Sequence, residues 1–497
     1  LKKYVYGLNA APLYFHLWLT DLIRKRYVVA KHDNCLYTDF NESLFALLHV
    51  DDILLLAKAN EEFEQLLRTK FELKIDHHPT QYLGFDFQQN EQKVGLSLHT
   101  YIEKMVGTLN QNLATFVQRG SNAPNTTAFK NTKLPTGNAK YLVQEGRSLE
   151  EDDNADFTGE VSYEVPSLRA DEIMIDELNH PTPADVKRRE MINQQSKSNA
   201  NLKQKRRLKV KVVAATVPDA DYATMMKQKL NYPSEEFNLE NYQKVTGIIT
   251  YIANKGRFDV QVYASMLAQF NGMPTHQTFC QALQILQFLY KTRFSSYKFE
   301  KITSTLKDTE NIVVNVYTDA SYTPNYCQGG FYMEVNGTFA GSKSYRLKGT
   351  LKSSYDAELF AFREAFNHGA RLRASLLSYG FKSVQIRMYC DNLSVIRTVK
   401  SITNSGGRVN DRAFTNCIYA LRREYLGDKY TVDHIAGDRN PADMFTKPLP
   451  MDHVKRLLNG EIIGKSLRLC YTSQEYVNSI APLQGSEVKN DGKLLEG

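Results

Sequence analysis

Between residues 312 and 448 four carboxylates recur where a strand ends or a helix begins, and that spacing limits the folds open to the chain more than any other feature. Asp319 follows the β-rich run at 312–318, bounded by Ala-Ser-Tyr-Thr-Pro, so its side chain is expected at the lip of a sheet. Glu358 stands in the first turns of a helical pattern that brings Tyr355, Leu359, Phe362 and Phe366 to one face, with Gly380 as its stop. Asp391 ends a second strand-like run at 384–390. Asp443 lies just inside a helix begun by Asn440 as cap and Pro441 at the first position. Strands at 330–335 and 338–345 are joined by Asn336-Gly337, a strong two-residue hairpin signal. In such an arrangement all four acids converge at one sheet edge.

Converging carboxylates repel, and each has a raised pKa unless cations share the site. Hard divalent ions relieve the repulsion, because Mg²⁺ takes a few carboxylate oxygens and keeps room for water and phosphate. The order strand-Asp, helix-Glu, strand-Asp, helix-Asp resembles the ribonuclease H family. The wording is narrower: Tyr317-Thr318-Asp319-Ala320-Ser321, Asp356-Ala357-Glu358, Asp391-Asn392 and Asn440-Pro441-Ala442-Asp443-Met444-Phe445-Thr446-Lys447-Pro448-Leu449 resemble the copia-type (Pseudoviridae) LTR retrotransposon Pol polyprotein. The resemblance implies that Asp319, Glu358 and Asp391 hold two Mg²⁺ ions, that Asp443 completes the cage, and that RNA in an RNA–DNA hybrid is hydrolysed. It implies discrimination by groove shape and the 2′-hydroxyl rather than by base sequence. His434 is a candidate proton carrier for product departure, against the commoner role of a structural histidine on a strand. The bland alternative, that each acid only caps a helix or ends a strand, has to account for four in register with one pattern.

The 497 residues suffice for two or three domains, and a formal net charge of +7 fits a polyanionic partner such as nucleic acid. Six scattered cysteines without a CxxC pair read as reduced thiols, not as a disulfide framework or a zinc site. No apolar run approaches the ~20 residues of a membrane span, so no membrane partner is expected. The chain begins with Leu1, which leads us to expect a piece of a longer protein.

Near the start, Pro12 opens a helical pattern with Tyr14, Trp18 and Leu22 at four-residue spacing. Tyr6, Gly7, Leu8, Ala11 and Pro12 match the retrotransposon reverse transcriptase palm segment, while Asn9 and Ala10 replace its Lys and Gln. Two apolar runs then flank Asp51 and Asp52, as in a hairpin with the acids at its turn. Unpaired carboxylates buried between such runs are costly, which favours exposure or metal ligation. The run resembles the Tyr-Val-Asp-Asp box, with His49 in place of Tyr. That likeness implies Asp51 as ligand of the polymerase Mg²⁺, with Asp52 beside it and primer-template nucleic acid as partner. The family's other polymerase Asp lies upstream of the Gly-Leu segment, so the isolated chain is expected not to polymerise.

Helical and strand patterns continue to about residue 110, with Asn60 capping a helix that holds Phe63, Leu66, Leu67 and Phe71. Residues 145–185 then hold thirteen acids against two bases, and residues 186–211 ten bases against Glu190 alone, blocks that seldom pack into a core. Residues 111–236 are therefore read as a charged, largely disordered insertion, with the basic run at 203–209 a phosphate-binding or nuclear-import candidate. Helices return at 242–253 and at 279–292, the latter with Ala282, Leu283, Leu286 and Leu289 on one face. Lys255 and Arg257 are candidate contacts to a duplex backbone, as are Arg412, Arg422 and Arg423 on a helix at 410–425.

The expected architecture is α+β and α/β multidomain: a partial reverse transcriptase palm and thumb (1–110), the insertion (111–236), thumb or connection helices (237–305), a ribonuclease H-like mixed-sheet domain (306–458) and a flexible tail (459–497). The resemblance implies integrase and capsid as polyprotein partners and a cytoplasmic virus-like particle as location, with the nucleus second. Asn9, Ala10 and His49 favour one alternative, a catalytically decayed or co-opted nucleic-acid-binding protein. A host ribonuclease H with an unrelated N-terminal domain is a third reading, against which the Val-Asp-Asp hairpin stands.

Overall fold

In the computed structural model, the strand and helix patterns after residue 311 assemble into a five-stranded mixed sheet. The structure describes residues 11–30, 33–39, 44–50, 52–57, 61–77, 79–89, 93–121, 219–300, 311–323, 326–348, 351–379, 381–401 and 412–480. Strands β9 (Ile312–Thr323), β10 (Tyr326–Val335) and β11 (Thr338–Arg346) form an antiparallel meander. Beside it β12 (Val384–Cys390) and β13 (Thr431–His434) run parallel to β9, giving the order β11-β10-β9-β12-β13. Parallel neighbours need crossovers. Helix Ser354–Ser378 supplies the first, and helices Leu393–Lys400 and Arg412–Leu426 supply the second. Alternate residues Val314, Val316, Ile386, Met388 and Val432 meet Leu359, Phe362 and Ala365 in one core. The hairpin turn is as expected, with positive φ at Asn336 (49°) and Gly337 (82°).

One boundary differs from the sequence reading, and the difference matters for the site. The strand expected to stop at 318 runs on to Thr323, because β10 keeps pairing with it, Asp319 opposite Gly330 and Thr323 opposite Tyr326. On the other side pairing ends at Cys390 opposite Thr318. Asp319 and Asp391 are therefore each the first residue past the parallel pair, side by side at its carboxyl end.

The N-terminal residues build a second, antiparallel sheet in the order β1 (Val28–Ala30), β2 (Asp33–Thr38), β3 (Leu44–His49), β4 (Asp52–Ala57). Helices Ala11–Ile23 and Glu61–Arg68 cover it through Leu19, Leu22, Ile23, Phe63 and Leu67. Tyr14 and Trp18, expected inside with Leu22, are about half exposed at 45% and 49%. The first helix is apolar nearly all round, so four-residue spacing alone does not single out its buried face.

A third sheet, β14-β8-β7-β6-β5, joins β5 (Gln81–Tyr82), β6 (Phe85–Gln89) and β7 (Lys93–Ser97) to β8 (Ser296–Glu300) and β14 (Leu467–Arg468). Helix His276–Lys291 is buried on every side from Thr278 to Leu289, not on one face as expected, because it is the axis of a helical cluster. That cluster corrects the insertion's limits. Helix Gln111–Gln118 places Leu113, Phe116 and Val117 in it, and helix Asp219–Leu230 adds Ala223 and Met226. The two charged blocks at 145–211 lie outside the described residues. The tail expected to be flexible from 459 is structured through 480: β14 pairs with β8, and Leu467, Cys470 and Tyr476 are buried. Residues 481–497 lie outside the described residues. No described helix is long and apolar enough to cross a membrane.

Candidate metal centre

Asp319 is the hub of the site and is 2% exposed. Its partner Asp443 sits on the 3-10 turn Pro441–Phe445, where Asn440 caps by accepting from the Ala442 N–H at 3.1 Å. The Asn440 amide also donates to the Thr318 carbonyl at 3.0 Å, which ties the turn to β9 one residue before Asp319. Gly330 allows the turn to lie against β10, since a Cβ there would sit 2.5 Å from Phe445 Cβ and 2.9 Å from Thr446 Cγ2. The Thr446 hydroxyl donates to Asp319 Oδ2 and to the Asp443 carbonyl, the latter at 3.1 Å.

Glu358 reaches the same place from the buried start of its helix, whose first turn is capped by Ser353. Asp391 follows β12, and Asn392 after it caps helix Leu393–Lys400 with bonds from Ser394 N and Val395 N. Ligand atoms of Glu358, Cys390 and Asp391 all lie within 4.8 Å of one another. The structure thus brings together the four acids the sequence singled out.

The electrostatics follow from that crowding. Burial, then the charges of Asp319 and Asp391, push the Glu358 carboxyl well above the carboxylate range. Burial and Asp319 raise Asp391, with Lys447 and His434 acting in the opposite sense. Burial and Asp319 raise Asp443, partly offset by Lys447. Burial works against the Lys447 ammonium, yet Asp319, Asp443 and Asp391 outweigh it and its pKa is raised. Its Nζ is paired with Asp443 Oδ1 and lies 3.9 Å from Asp319 Oδ2.

These residues fit a hard divalent cation. Among the described residues, Glu358 Oε2 and Asp391 Oδ1 are buried without a hydrogen-bond partner, which leaves both oxygens available to a cation. Cys390 is a neighbour, not a matching donor: burial and then Glu358 raise its pKa, so it stays a thiol, and Mg²⁺ prefers oxygen.

Other sequence candidates fare differently. Asp52 is exposed on β4, opposite His49 and on a different sheet from the four acids, and Val50 before it holds φ at 56°, a strained value for a β-branched residue. Asp51 lies outside the described residues. Lys255 packs its ammonium over Phe85 and Tyr251, 5.9 and 5.7 Å from the ring centroids. Arg257 is no duplex contact, because it is buried in a bidentate pair with Asp259 at 2.9 and 2.8 Å and donates to Thr292. Arg422 is likewise buried, its Nε donating to the Thr398 carbonyl at 2.7 Å, so the expected basic face is not continuous. Arg423 is exposed beside Glu424, and the Arg412 side chain lies outside the described residues. His434 is exposed at the end of β13, opposite Cys390 in register.

Sequence reasoning overlooked Thr446, Lys447 and Gly330. The first two stand inside the quoted Asn-Pro-Ala-Asp string, Lys447 four residues after Asp443, a spacing that brings side chains together on a helix. A glycine inside a strand pattern signals close backbone approach.

Residues 1–117 match the family described as reverse transcriptase (RNA-dependent DNA polymerase). The chain is similar to the Transposon Ty1-GR3 Gag-Pol polyprotein of Saccharomyces cerevisiae, 29% identical over 242 residues, which cover 48% of this chain and 13% of that protein. The Transposon Ty1-JR2 Gag-Pol polyprotein of the same organism is 29% identical over 239 residues, 47% of this chain and 13% of that one. The matched region thus spans a small part of these relatives. Among solved structures, RNase H1 from Halobacterium salinarum covers 30% of this chain and 98% of its own, at 16% identity and a TM-score of 0.20. A foamy viral protease-reverse transcriptase in complex with double-stranded DNA covers 40% and 34%, at 14% identity and a TM-score of 0.18. Both likenesses are too slight to bear on the fold. With a reverse transcriptase segment at its start and Gag-Pol relatives matched over nearly half its length, the chain is similar to copia-type retrotransposon Pol polyproteins.

Proposed function

We propose that this chain hydrolyses the RNA strand of RNA–DNA hybrids at the site formed by Asp319, Glu358, Asp391 and Asp443, with Mg²⁺ as the metal. The observation that carries the reading is the convergence of four carboxylates, two of them with a buried oxygen that has no hydrogen-bond partner among the described residues. When bound, a pair of Mg²⁺ ions supplies an activated water and stabilises the leaving oxygen of the phosphodiester. Asp319, Glu358, Asp391 and Asp443 are the residues that would hold the ions. Glu358, Asp391 and Asp443, whose carboxyls are raised, give up protons as the site loads, so metal affinity rises with pH. Lys447 balances charge around Asp319 and Asp443, and Thr446 fixes the Asp319 carboxylate. His434, exposed beside Asp391, is placed to carry a proton to the departing product.

Duplex contact falls to Lys255 and the groove beside it, a cavity of about 500 Å³ lined by Gln243, Thr250, Asn254 and Asn271. Its amides and one ammonium, set in a lining that is otherwise largely apolar with Tyr251 and Ala268, are the groups that would meet a sugar-phosphate backbone, which is bound without regard to base sequence. RNA-directed DNA synthesis, with Asp51 and Asp52 as its acids, is assigned to the whole polyprotein.

The test is Mg²⁺-dependent cleavage of a hybrid labelled on its RNA strand. The wild-type chain should cut it, and Asp319→Asn should not. A wild type that leaves the hybrid intact, or an Asp319→Asn variant that cuts as fast, overturns the assignment.

A further inference from the structure

The turn that carries Asp443 is held from outside the nuclease sheet. Gln328 on β10 is wholly buried, and its amide Nε2 donates to Ser344 Oγ on β11 at 2.7 Å and to Ser265 Oγ on helix Gln261–Ala268 at 2.8 Å. Ser344 Oγ in turn donates to the Phe445 carbonyl at 2.6 Å. That carbonyl belongs to the peptide leading into Thr446, whose hydroxyl meets Asp319, and it lies two residues past Asp443. Beside this chain of bonds Ser342 donates to Gln261 Oε1 at 3.2 Å, and the Phe258 ring lies 6.1 Å from that of Phe445.

Packing alone does not call for this network. An apolar side chain at 328 would join strand and helix without desolvating an amide, whereas a buried polar network costs stability unless every member is bonded. What the network adds is direction, since each bond fixes the next oxygen, and the last of them is on the turn that sets the distance between Asp443 and Asp319.

We propose that Gln328, with Ser344 and Ser265, is a positioning residue for the metal centre, so that helix Gln261–Ala268 of the preceding helical cluster is part of the centre's scaffold. The proposal rests on the assignment of the four acids as metal ligands. Outer-shell partners of this kind change metal affinity by ~10–100-fold when removed.

The test uses Gln328→Met and Ser344→Ala in the full chain, with Mg²⁺ binding followed by isothermal titration calorimetry in the absence of nucleic acid. Both variants should bind Mg²⁺ about 10-fold or more weakly, and should lose less toward Mn²⁺, because Mg²⁺ demands near-ideal octahedral geometry. KM for the hybrid should not move. Val399→Ala, in the same core but away from the network, should lower thermal stability and keep wild-type Mg²⁺ affinity. Unchanged affinity in Gln328→Met and Ser344→Ala, or an equal loss in Val399→Ala, overturns this inference alone. A wild type that binds no Mg²⁺ overturns it together with the assignment of the acids.

Discussion

Replacing Gly330 by Ala adds one methyl group at the place where the Asp443 turn crosses β10. The new Cβ would lie 2.5 Å from Phe445 Cβ, 2.9 Å from Thr446 Cγ2 and 3.1 Å from the Phe445 carbonyl carbon. Carbon pairs prefer about 3.5–4.0 Å, so the turn must retreat by roughly an ångström. Two of the three obstacles cannot rotate away, as one is a Cβ and another is backbone. Gly330 is not among the residues of positive φ, which leaves crowding as the whole effect. Overpacking of this kind costs about 1–3 kcal/mol. The turn that moves carries Asp443 and Thr446, and a displacement of ~1 Å at a reacting centre lowers turnover by about 10²-fold. Thermal melts and single-turnover cleavage of a labelled hybrid measure the two effects. Gly341→Ala is the control, because its nearest obstacle is the flexible end of Met333. Full turnover in a destabilised Gly330→Ala protein would refute the claim that this contact sets the acid spacing; unchanged stability as well would refute the close packing itself.

Three other outcomes follow from the same geometry. Arg257→Met leaves Asp259 buried without its partner and should cost about 3–5 kcal/mol in urea unfolding, with the salt dependence of hybrid binding unchanged; a salt slope reduced by about one at undiminished stability would restore Arg257 as a phosphate contact. Without metal, the folded chain holds protons on Glu358, Asp391 and Asp443 that the unfolded chain has released, so stability should fall as pH rises above the ordinary carboxyl range. Mg²⁺ or Glu358→Gln should flatten that fall in melting temperature, and a metal-free profile that rises instead would contradict the crowding. Lys447→Met removes the ammonium that offsets Asp319 and Asp443, so the metal-free variant should melt below wild type by a margin that narrows when Mg²⁺ is added.

What the sequence made legible was local. The runs before Asp319 and Asp391 read as strands from their β-branched residues, the Asn440-Pro441 pair marked the start of the Asp443 turn, and Asn336-Gly337 set the hairpin. Their convergence could be inferred because four acids shared one pattern. Illegible were the features decided by partners far away in the chain. Arg257 looked like an exposed base until Asp259 and the Thr292 carbonyl were seen to enclose it, and nothing near Arg422 announced the Thr398 carbonyl. The strand through Asp319 outran its β-rich stretch because β10 offered further pairing. Leu113 and Met226 were assigned to an insertion by the highly charged segment between them, although each has a place in the helical core. Lys447 stood in plain view, but its role depends on a 3-10 turn that aims it back at Asp319.

Crystals of the protein soaked in Mn²⁺ and measured at the manganese edge would test most directly whether the acids hold paired ions. Two anomalous peaks about 4 Å apart, ringed by oxygens of Asp319, Glu358, Asp391 and Asp443 with the Lys447 ammonium displaced, are expected. Density with no peak among those side chains, at a Mn²⁺ concentration that fills sites elsewhere in the crystal, would contradict the account.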